Sequence, residues 1–159
     1  MAQGYKPAFA PYALSSGDLI HLSGRLAKKD GALLIGKVGA EVSLDGAKTA
    51  ARDIAIELLG VLKQATGDLD RVSRIVRLFV MVNGAPGFNE PHRVADGASE
   101  LFVEVFGAGG AHARSAMVAA ELPFGAAVEI DLVAEICGEA SDRSAGVGAS
   151  AAEPQGGSQ

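Results

Sequence analysis

The chain has 159 residues, of which 48% are hydrophobic and 21% are charged, and these proportions suit one globular domain with a sizeable core. Its net charge of -5 argues against a nucleic-acid-binding protein, because such proteins usually present a basic surface. Cys137 is the only cysteine, so a disulfide framework within one subunit is excluded.

The N-terminal segment "MAQGYKPAFAPYALSSGDL" lacks the basic stretch and following apolar core that a secretory signal would have. Apolar runs further along, such as "IVRLFVMV", are short and interrupted by arginine. We therefore expect a cytoplasmic protein that is not bound to a membrane.

Two short apolar segments, "DLIHLSG" at residues 18–24 and "ALLIGKV" at residues 32–38, are typical of β-strands. The Asp30-Gly31 pair between them is a common turn signal. This pattern predicts an opening β-hairpin.

A helix is predicted from Ser43 to about Gly67, because apolar residues recur there at helical spacing. Residues 71–83, "RVSRIVRLFVMVN", carry apolar side chains on both alternating faces, which predicts a central strand covered on both sides. A second helix is predicted over residues 92–106, where Gly97 weakens an otherwise regular apolar stripe.

The last two strands are predicted at residues 114–120 and 126–136, joined as a hairpin by "ELPFG". In the final strand, the apolar residues from Val128 to Ile136 alternate with Glu129, Asp131 and Glu135. One face of this strand is therefore expected to be buried and the other polar.

The predicted order is ββαβαββ, an α+β fold with one mixed sheet and two helices on one face. The other face of the central strand is expected to carry Ile75, Phe79 and Met81, and no further sequence remains to cover it. We therefore expect self-association through that face, where Glu129 and Asp131 would need partners.

The chain divides into one domain, residues 1–137, and a tail, residues 138–159. The tail is rich in Gly, Ala and Ser and carries little apolar surface, so we expect it to be disordered.

Arg114 opens a strand without an acidic residue within five positions on either side. Its planar fork of donors suits a carboxylate or a phosphate, and Glu129 across the predicted turn is able to orient a water molecule. The alternative is a cross-strand ion pair between the two residues, and spacing alone favours this structural interpretation.

The stretch "HARSAMVAAELPFGAAVEID", residues 112–131, closely resembles the C-terminal signature of the RidA/YjgF family. That signature combines a small residue, Arg, Ser, several apolar residues, Leu-Pro and a strand of the type Val/Ile-Glu-Ile. Upstream, "APYALSSGDLIHLSGRL" is similar to the family's Pro-Tyr and Ser-Gly-Gln elements. The resemblance extends from about Pro11 to Ile136.

This resemblance implies a chorismate-mutase-like subunit in a homotrimer with three intersubunit clefts. It also implies hydrolytic deamination, without a cofactor, of small enamines or imines that carry a carboxylate, giving a 2-oxo acid and ammonia. By resemblance, Arg114 anchors the carboxylate and Glu129 orients water. The residues that would line the pocket are Tyr12, Ser23, Gly24, His92 and Ala116, the last through nearby backbone groups.

Two positions depart from the family pattern: Ala116 stands where cysteine is common, and Arg25 follows Ser23-Gly24 where glutamine is usual. These departures keep open a second function, a trimer that binds a small metabolite without turnover. A third, endoribonuclease activity, is disfavoured by the acidic composition.

The three histidines show no metal-ligand spacing, so we expect no metal. His92 is equally compatible with an exposed position in the first turn of the second helix. His112 lies beside glycines, and we expect it to be solvated.

Overall fold

The computed structural model describes residues 8–14 and 17–137, and the predicted tail at 138–159 lies outside the described residues. Two long helices, α1 and α2, are combined with seven strands. The helices are α1 (Leu44–Thr66) and α2 (Pro91–Phe106), and the strands are β1 (Tyr12–Leu14), β2 (Leu19–Leu26), β3 (Lys28–Lys29), β4 (Ala32–Leu33), β5 (Val72–Asn83), β6 (Ala113–Ala119) and β7 (Val128–Ile136).

Five of the strands form one mixed sheet in the order β1-β2-β7-β5-β6. Strands β5 and β6 run parallel, and every other neighbouring pair in this sheet is antiparallel. The parallel pair is joined through α2, as a crossover connection requires. The predicted order ββαβαββ and the α+β class are confirmed, with β1 and β2 as the opening strands.

The prediction that residues 32–38 form the second strand of the opening hairpin was wrong. Strand β2 pairs with β1 on one edge and with β7 on the other, so neither edge is left for this segment. The Asp30-Gly31 turn is present, with φ of 52° and 80°, but it joins only the two-residue strands β3 and β4.

The predicted hairpin between the last two strands was also wrong. Strands β6 and β7 are both hydrogen-bonded to β5, which lies between them. After β6 the chain passes through a short 3-10 turn, Pro123–Gly125, and returns antiparallel on the far side of β5. Local sequence pattern does not reveal such a crossing, because it reports strands and turns but not the partner of each strand.

The two helices lie close together because of one glycine. A Cβ added to Gly97 of α2 would overlap the carbonyl oxygen of Lys48 in α1. Next to this approach, the helices are also joined by ion pairs of Lys48 with Glu100 at 2.8 Å and Arg52 with Glu104 at 2.5 Å. Gly97 is therefore a packing requirement and not only a weak point in the helix.

The core lies between the helices and one face of the sheet. This face presents fully buried side chains of β5 and β7, among them Leu78, Val80, Ile130 and Leu132. The register between β5 and β7 shifts between Ile75 and Arg77.

Because of that shift, Ile75 joins the core and is 1% exposed, which corrects its predicted place on the opposite face. The second face carries Phe79, Met81, Glu129 and Asp131, all partly exposed as predicted.

Candidate functional site

Arg114 lies near the start of β6, on the side of the sheet that faces the helices, and its side chain contacts α2. Its Nη1 donates to Asp96 Oδ1 at 2.9 Å and to Ser99 Oγ at 3.0 Å. Asp96 and Ser99 are three residues apart on α2, which places them on one helix face. A quarter of the Arg114 side chain, 25%, remains exposed.

These two contacts use both hydrogens of Nη1. Within the described residues, neither Nε nor Nη2 of Arg114 makes a hydrogen bond. The Nε and Nη2 edge of a guanidinium presents two nearly parallel N–H donors, the geometry that binds a carboxylate with two hydrogen bonds. Asp96 and Ser99 thus hold the Nη1 group of Arg114, while its Nε and Nη2 groups can still donate to an anion.

Ser99 connects Arg114 to His112. The His112 Nε2 lies 3.0 Å from Ser99 Oγ, and its Nδ1 lies 2.6 Å from the carbonyl oxygen of Gly110. His112 is half-buried, and its ring meets the buried Phe102 ring edge to face at 6.1 Å. The expectation that His112 is solvated was therefore wrong.

Glu129 lies on β7, between Met81 of β5 and Leu26 of β2. Partial burial raises the pKa of its carboxyl group, and the nearby charge of Asp131 raises it further. The pKa of Asp131 is likewise raised by burial, while Arg77 opposes the change. The two carboxyl groups share the face of the sheet that lies opposite the helices.

A bulge in β2 contains two of the predicted pocket residues and brings one of them, Gly24, against Glu129. Ser23 and Gly24 fall between the pairs Leu22↔Leu132 and Arg25↔Ile130, so they are two residues opposite one. A Cβ added to Gly24 would overlap Glu129 Oε1. The absence of a side chain at this position therefore allows the carboxylate to lie against the β2 backbone.

Ser23 also ties down the N-terminal arm. Its hydroxyl donates to the carbonyl oxygen of Ala10 at 2.7 Å, and its N–H donates to that of Pro11 at 3.0 Å. Tyr12 and Ser23 line one shallow cavity of about 230 Å³. A larger cavity of about 320 Å³, beside the start of α1, is lined by none of the predicted site residues.

The remaining predicted positions are separated from Glu129. Ala116 follows Arg114 by two residues on β6 and pairs with Val80, and His92 is exposed in the first turn of α2. Arg25 is paired with Ile130, whose side chain faces the helices, and its Nε is buried with no partner among the described residues. Its charge therefore does not lie on the face that carries Glu129.

Arg114 and Glu129 do not meet within one chain. Arg114 pairs with Leu78 on the helix side of the sheet, whereas Glu129 pairs with Met81 on the other side. Strand β5 separates them, so two strand spacings, about 10 Å, lie between their backbones. The cross-strand ion pair is excluded, and the carboxylate that pairs with Arg114 is Asp96.

Sequence reasoning missed Asp96 and Ser99. Their spacing of three residues on a predicted helix was a weak signal, because it showed a shared face but not which strand that face would meet. Across residues 8–14 and 17–137, no group of three or more His, Cys, Asp and Glu side chains is arranged to hold a metal ion. None of the helices there is long and apolar enough to cross a membrane.

A family model described as "YjgF/chorismate_mutase-like, putative endoribonuclease" matches residues 4–136 of this chain. Protein TCP17 of Trypanosoma cruzi is 46% identical over 123 residues, which are 76% of this chain and 77% of that protein.

Solved structures of similar sequence share the fold of this chain. The protein Atu1372 of Agrobacterium tumefaciens, described as having unknown function, is 40% identical, with a TM-score of 0.77 over 81% of this chain and 82% of that one. A "putative endoribonuclease" of Shewanella oneidensis is 30% identical, with a TM-score of 0.76 over 86% of this chain and 88% of that one.

Proposed function

Because this chain belongs to the YjgF/chorismate mutase-like family and has its α+β fold, we propose that it is a cofactor-independent deaminase. Its substrates are small enamines or imines that carry a carboxylate, and its products are a 2-oxo acid and ammonia. It acts in the cytoplasm as a homotrimer. The observation that carries the proposal is the side edge of Arg114, whose Nε and Nη2 make no hydrogen bond within the described residues while Asp96 and Ser99 hold Nη1.

Arg114 recognises the substrate carboxylate. Nε and Nη2 donate one hydrogen bond to each carboxylate oxygen, while Asp96 and Ser99 keep the guanidinium plane from turning. Holding the carboxylate in this way fixes the adjacent imine carbon, and fixed orientation is a large part of enzymatic rate enhancement. A neutral side chain of similar length would provide neither the charge nor the fork.

Glu129 acts as the general base. The ionised carboxylate takes a proton from water as the water oxygen bonds to the imine carbon, and the C=N electron pair moves to nitrogen. In the resulting carbinolamine, the hydroxyl oxygen forms the carbonyl as the C–N bond breaks. Glu129 returns the first proton to the nitrogen and then relays the hydroxyl proton to it as well, so that the nitrogen leaves as ammonia. Its raised pKa makes it a stronger base than an ordinary glutamate, which favours this role.

Because Arg114 and Glu129 lie on opposite faces of the sheet, a site that uses both residues requires two subunits. In the proposed trimer, Arg114 of one subunit faces Glu129 of the partner subunit across a shared cleft. The face of the sheet that lies opposite the helices carries the apolar side chains of Phe79 and Met81, which suits packing against a second copy.

The direct test generates imines in situ with an amino-acid oxidase and follows their decay. We expect the parent protein to accelerate decay, and Arg114→Ala to lose the acceleration. Arg74→Ala is the matched control, because Arg74 is an exposed arginine paired with Glu135 on another part of the sheet. Equal activity of Arg114→Ala and the parent would refute the proposal.

The same assay separates deamination from binding alone. A trimer that only binds metabolites would be stabilised against heat by small carboxylates, with a shift set by ligand concentration relative to Kd, and would show no turnover. If pyruvate stabilised the protein but imine decay were not accelerated, metabolite binding without turnover would replace the proposed deaminase activity.

Endoribonuclease activity is a second candidate because the family description and the Shewanella oneidensis protein carry that word. The described surface offers little to a polyanion, since many of its basic side chains are paired with carboxylates. These pairs include Lys28–Glu57, Lys37–Glu121, Lys48–Glu100, Arg52–Glu104, Arg74–Glu135 and Arg93–Glu90. Steeply salt-dependent RNA binding, followed by cleavage, would support this activity.

A further inference from the structure

The chain of contacts from Arg114 through Ser99 to His112 has only one consistent arrangement of protons. The Gly110 carbonyl oxygen can only accept, so His112 Nδ1 carries a hydrogen and donates to it. In a neutral imidazole the other nitrogen has no hydrogen, so Nε2 accepts from the Ser99 hydroxyl. Ser99 Oγ then accepts from Arg114 Nη1, because a guanidinium can only donate.

The hydrogen bond that Ser99 donates to His112 depends on a neutral His112. Protonation would add a hydrogen to Nε2, which would then donate to Ser99 Oγ, and the serine hydrogen would turn towards another acceptor. The serine oxygen has two lone pairs and would still accept from Arg114 Nη1. The charged groups that face this point are Arg114 itself, from β6, and Asp96, from α2.

The surroundings of His112 oppose its protonation. Burial lowers the pKa of His112, and the positive charge of Arg114 acts in the same direction, while the hydrogen bond to Gly110 opposes them. The Phe102 ring at 6.1 Å fixes the plane of the imidazole. His112 is therefore neutral at physiological pH and becomes charged only in acid, below its ordinary value near 6.5.

We propose that Ser99 and His112 are positioning residues that hold the Arg114 guanidinium in its carboxylate-binding orientation. This inference rests on the proposed function, since it concerns the same anchor. Neither residue touches the substrate: Ser99 acts on Arg114 directly, and His112 acts through Ser99.

The test measures the Kd of pyruvate, a stable 2-oxo acid, at neutral pH. In Ser99→Ala, we expect binding about tenfold weaker than in the parent, because Arg114 loses one of its two hydrogen-bond partners. Ser99→Thr keeps the hydroxyl and restores the parental Kd. Equal Kd values for Ser99→Ala and the parent would overturn the inference.

His112→Gln and His112→Leu test whether the acceptor at Nε2 holds Ser99. A glutamine side chain can place its amide oxygen near the position of Nε2 and accept from Ser99, whereas leucine has no acceptor. We expect near-parental binding of pyruvate in His112→Gln and weaker binding in His112→Leu.

Nitrogen-15 NMR of the imidazole gives a readout that does not depend on activity. We expect the neutral Nδ1–H tautomer in the parent, and a shifted Nε2 resonance in Ser99→Ala. The Nε2–H tautomer would overturn the inference. If the parent neither binds pyruvate nor accelerates imine decay, the proposed function fails as well, which separates the two outcomes.

Discussion

The Arg114 guanidinium and the Glu129 carboxylate lie on opposite faces of one sheet, with strand β5 between their strands. Arg114 is anchored by α2 on the helix side, and Glu129 lies beside Asp131 on the other side. A single chain therefore holds the two halves of the proposed site apart. Chemistry that uses both residues requires a neighbouring subunit to complete it.

Arg114→Lys is expected to lower kcat/KM by about 100-fold, chiefly through KM. Lysine keeps the positive charge but presents one ammonium group in place of the parallel Nε–H and Nη2–H donors, so the two-point contact with the carboxylate is lost. Steady-state kinetics on an imine generated in situ measures the effect, with Arg74→Lys as the control. An unchanged KM would show that charge alone, and not the guanidinium edge, binds the substrate.

Asp131→Asn is expected to move the acid limb of the activity profile to lower pH. Burial contributes most to the raised pKa of Glu129, and the charge of Asp131 adds to it. Removing that charge lowers the pKa of Glu129 towards its usual value near 4.5, so the base stays ionised in more acidic solution.

The measurement for this variant is kcat/KM from pH 4 to pH 9. Asp18→Asn is the control, because Asp18 is exposed and lies outside the site. If the acid limb stayed in place or moved to higher pH, the charge of Asp131 would not be a cause of the raised pKa of Glu129.

Gly24→Ala is expected to lower kcat about tenfold or more while leaving KM nearly unchanged. The added methyl group would occupy the position of Glu129 Oε1 and displace the base, whereas the Arg114 anchor is not touched. The double variant Gly24→Ala/Glu129→Gln provides the check, because it should be no less active than Glu129→Gln alone. If the losses of kcat from the two changes were additive, Gly24 would influence activity by a route other than Glu129.

The helices and the order of the elements were predictable from the sequence because their signals are local. Ser43 caps α1 by accepting from the N–H of Gly46, and the apolar stripes of both helices are buried as their spacing indicates, apart from Val105 near the end of α2, which is exposed. The Asp30-Gly31 turn is equally local. Each of these features depends on residues within a few positions of one another.

What the sequence did not reveal was which strands pair and which side chains meet. The position of β5 between β6 and β7 is a property of the whole sheet, so the last two strands resembled a hairpin. Ile75 entered the core because a register shift interrupts the simple alternation. The contact of Arg114 with Asp96 joins residues 18 positions apart, and no periodicity indicated it.

Gly97→Ala is expected to lower the free energy of unfolding by about 1–3 kcal/mol, although alanine ordinarily favours a helix. The added Cβ would overlap the Lys48 carbonyl oxygen and force the two helices apart. Gly60→Ala is the matched control, since Gly60 lies in α1 with open space where a Cβ would be added, and it should stabilise the fold by about 0.5–1 kcal/mol. Urea denaturation at one fixed protein concentration measures both, and stabilisation by both changes would rule out the close approach.

The most direct test of the central claim is complementation between two inactive variants. Arg114→Ala and Glu129→Gln are each expected to be inactive alone. When they are unfolded together and refolded at equal concentration, about one quarter of the clefts between subunits receive an intact Arg114 from one chain and an intact Glu129 from the other. The account predicts recovery of about one quarter of the parental deaminase activity, in particles with the mass of a trimer. Refolded mixed trimers without activity would show that the two residues do not form one site across the subunit boundary.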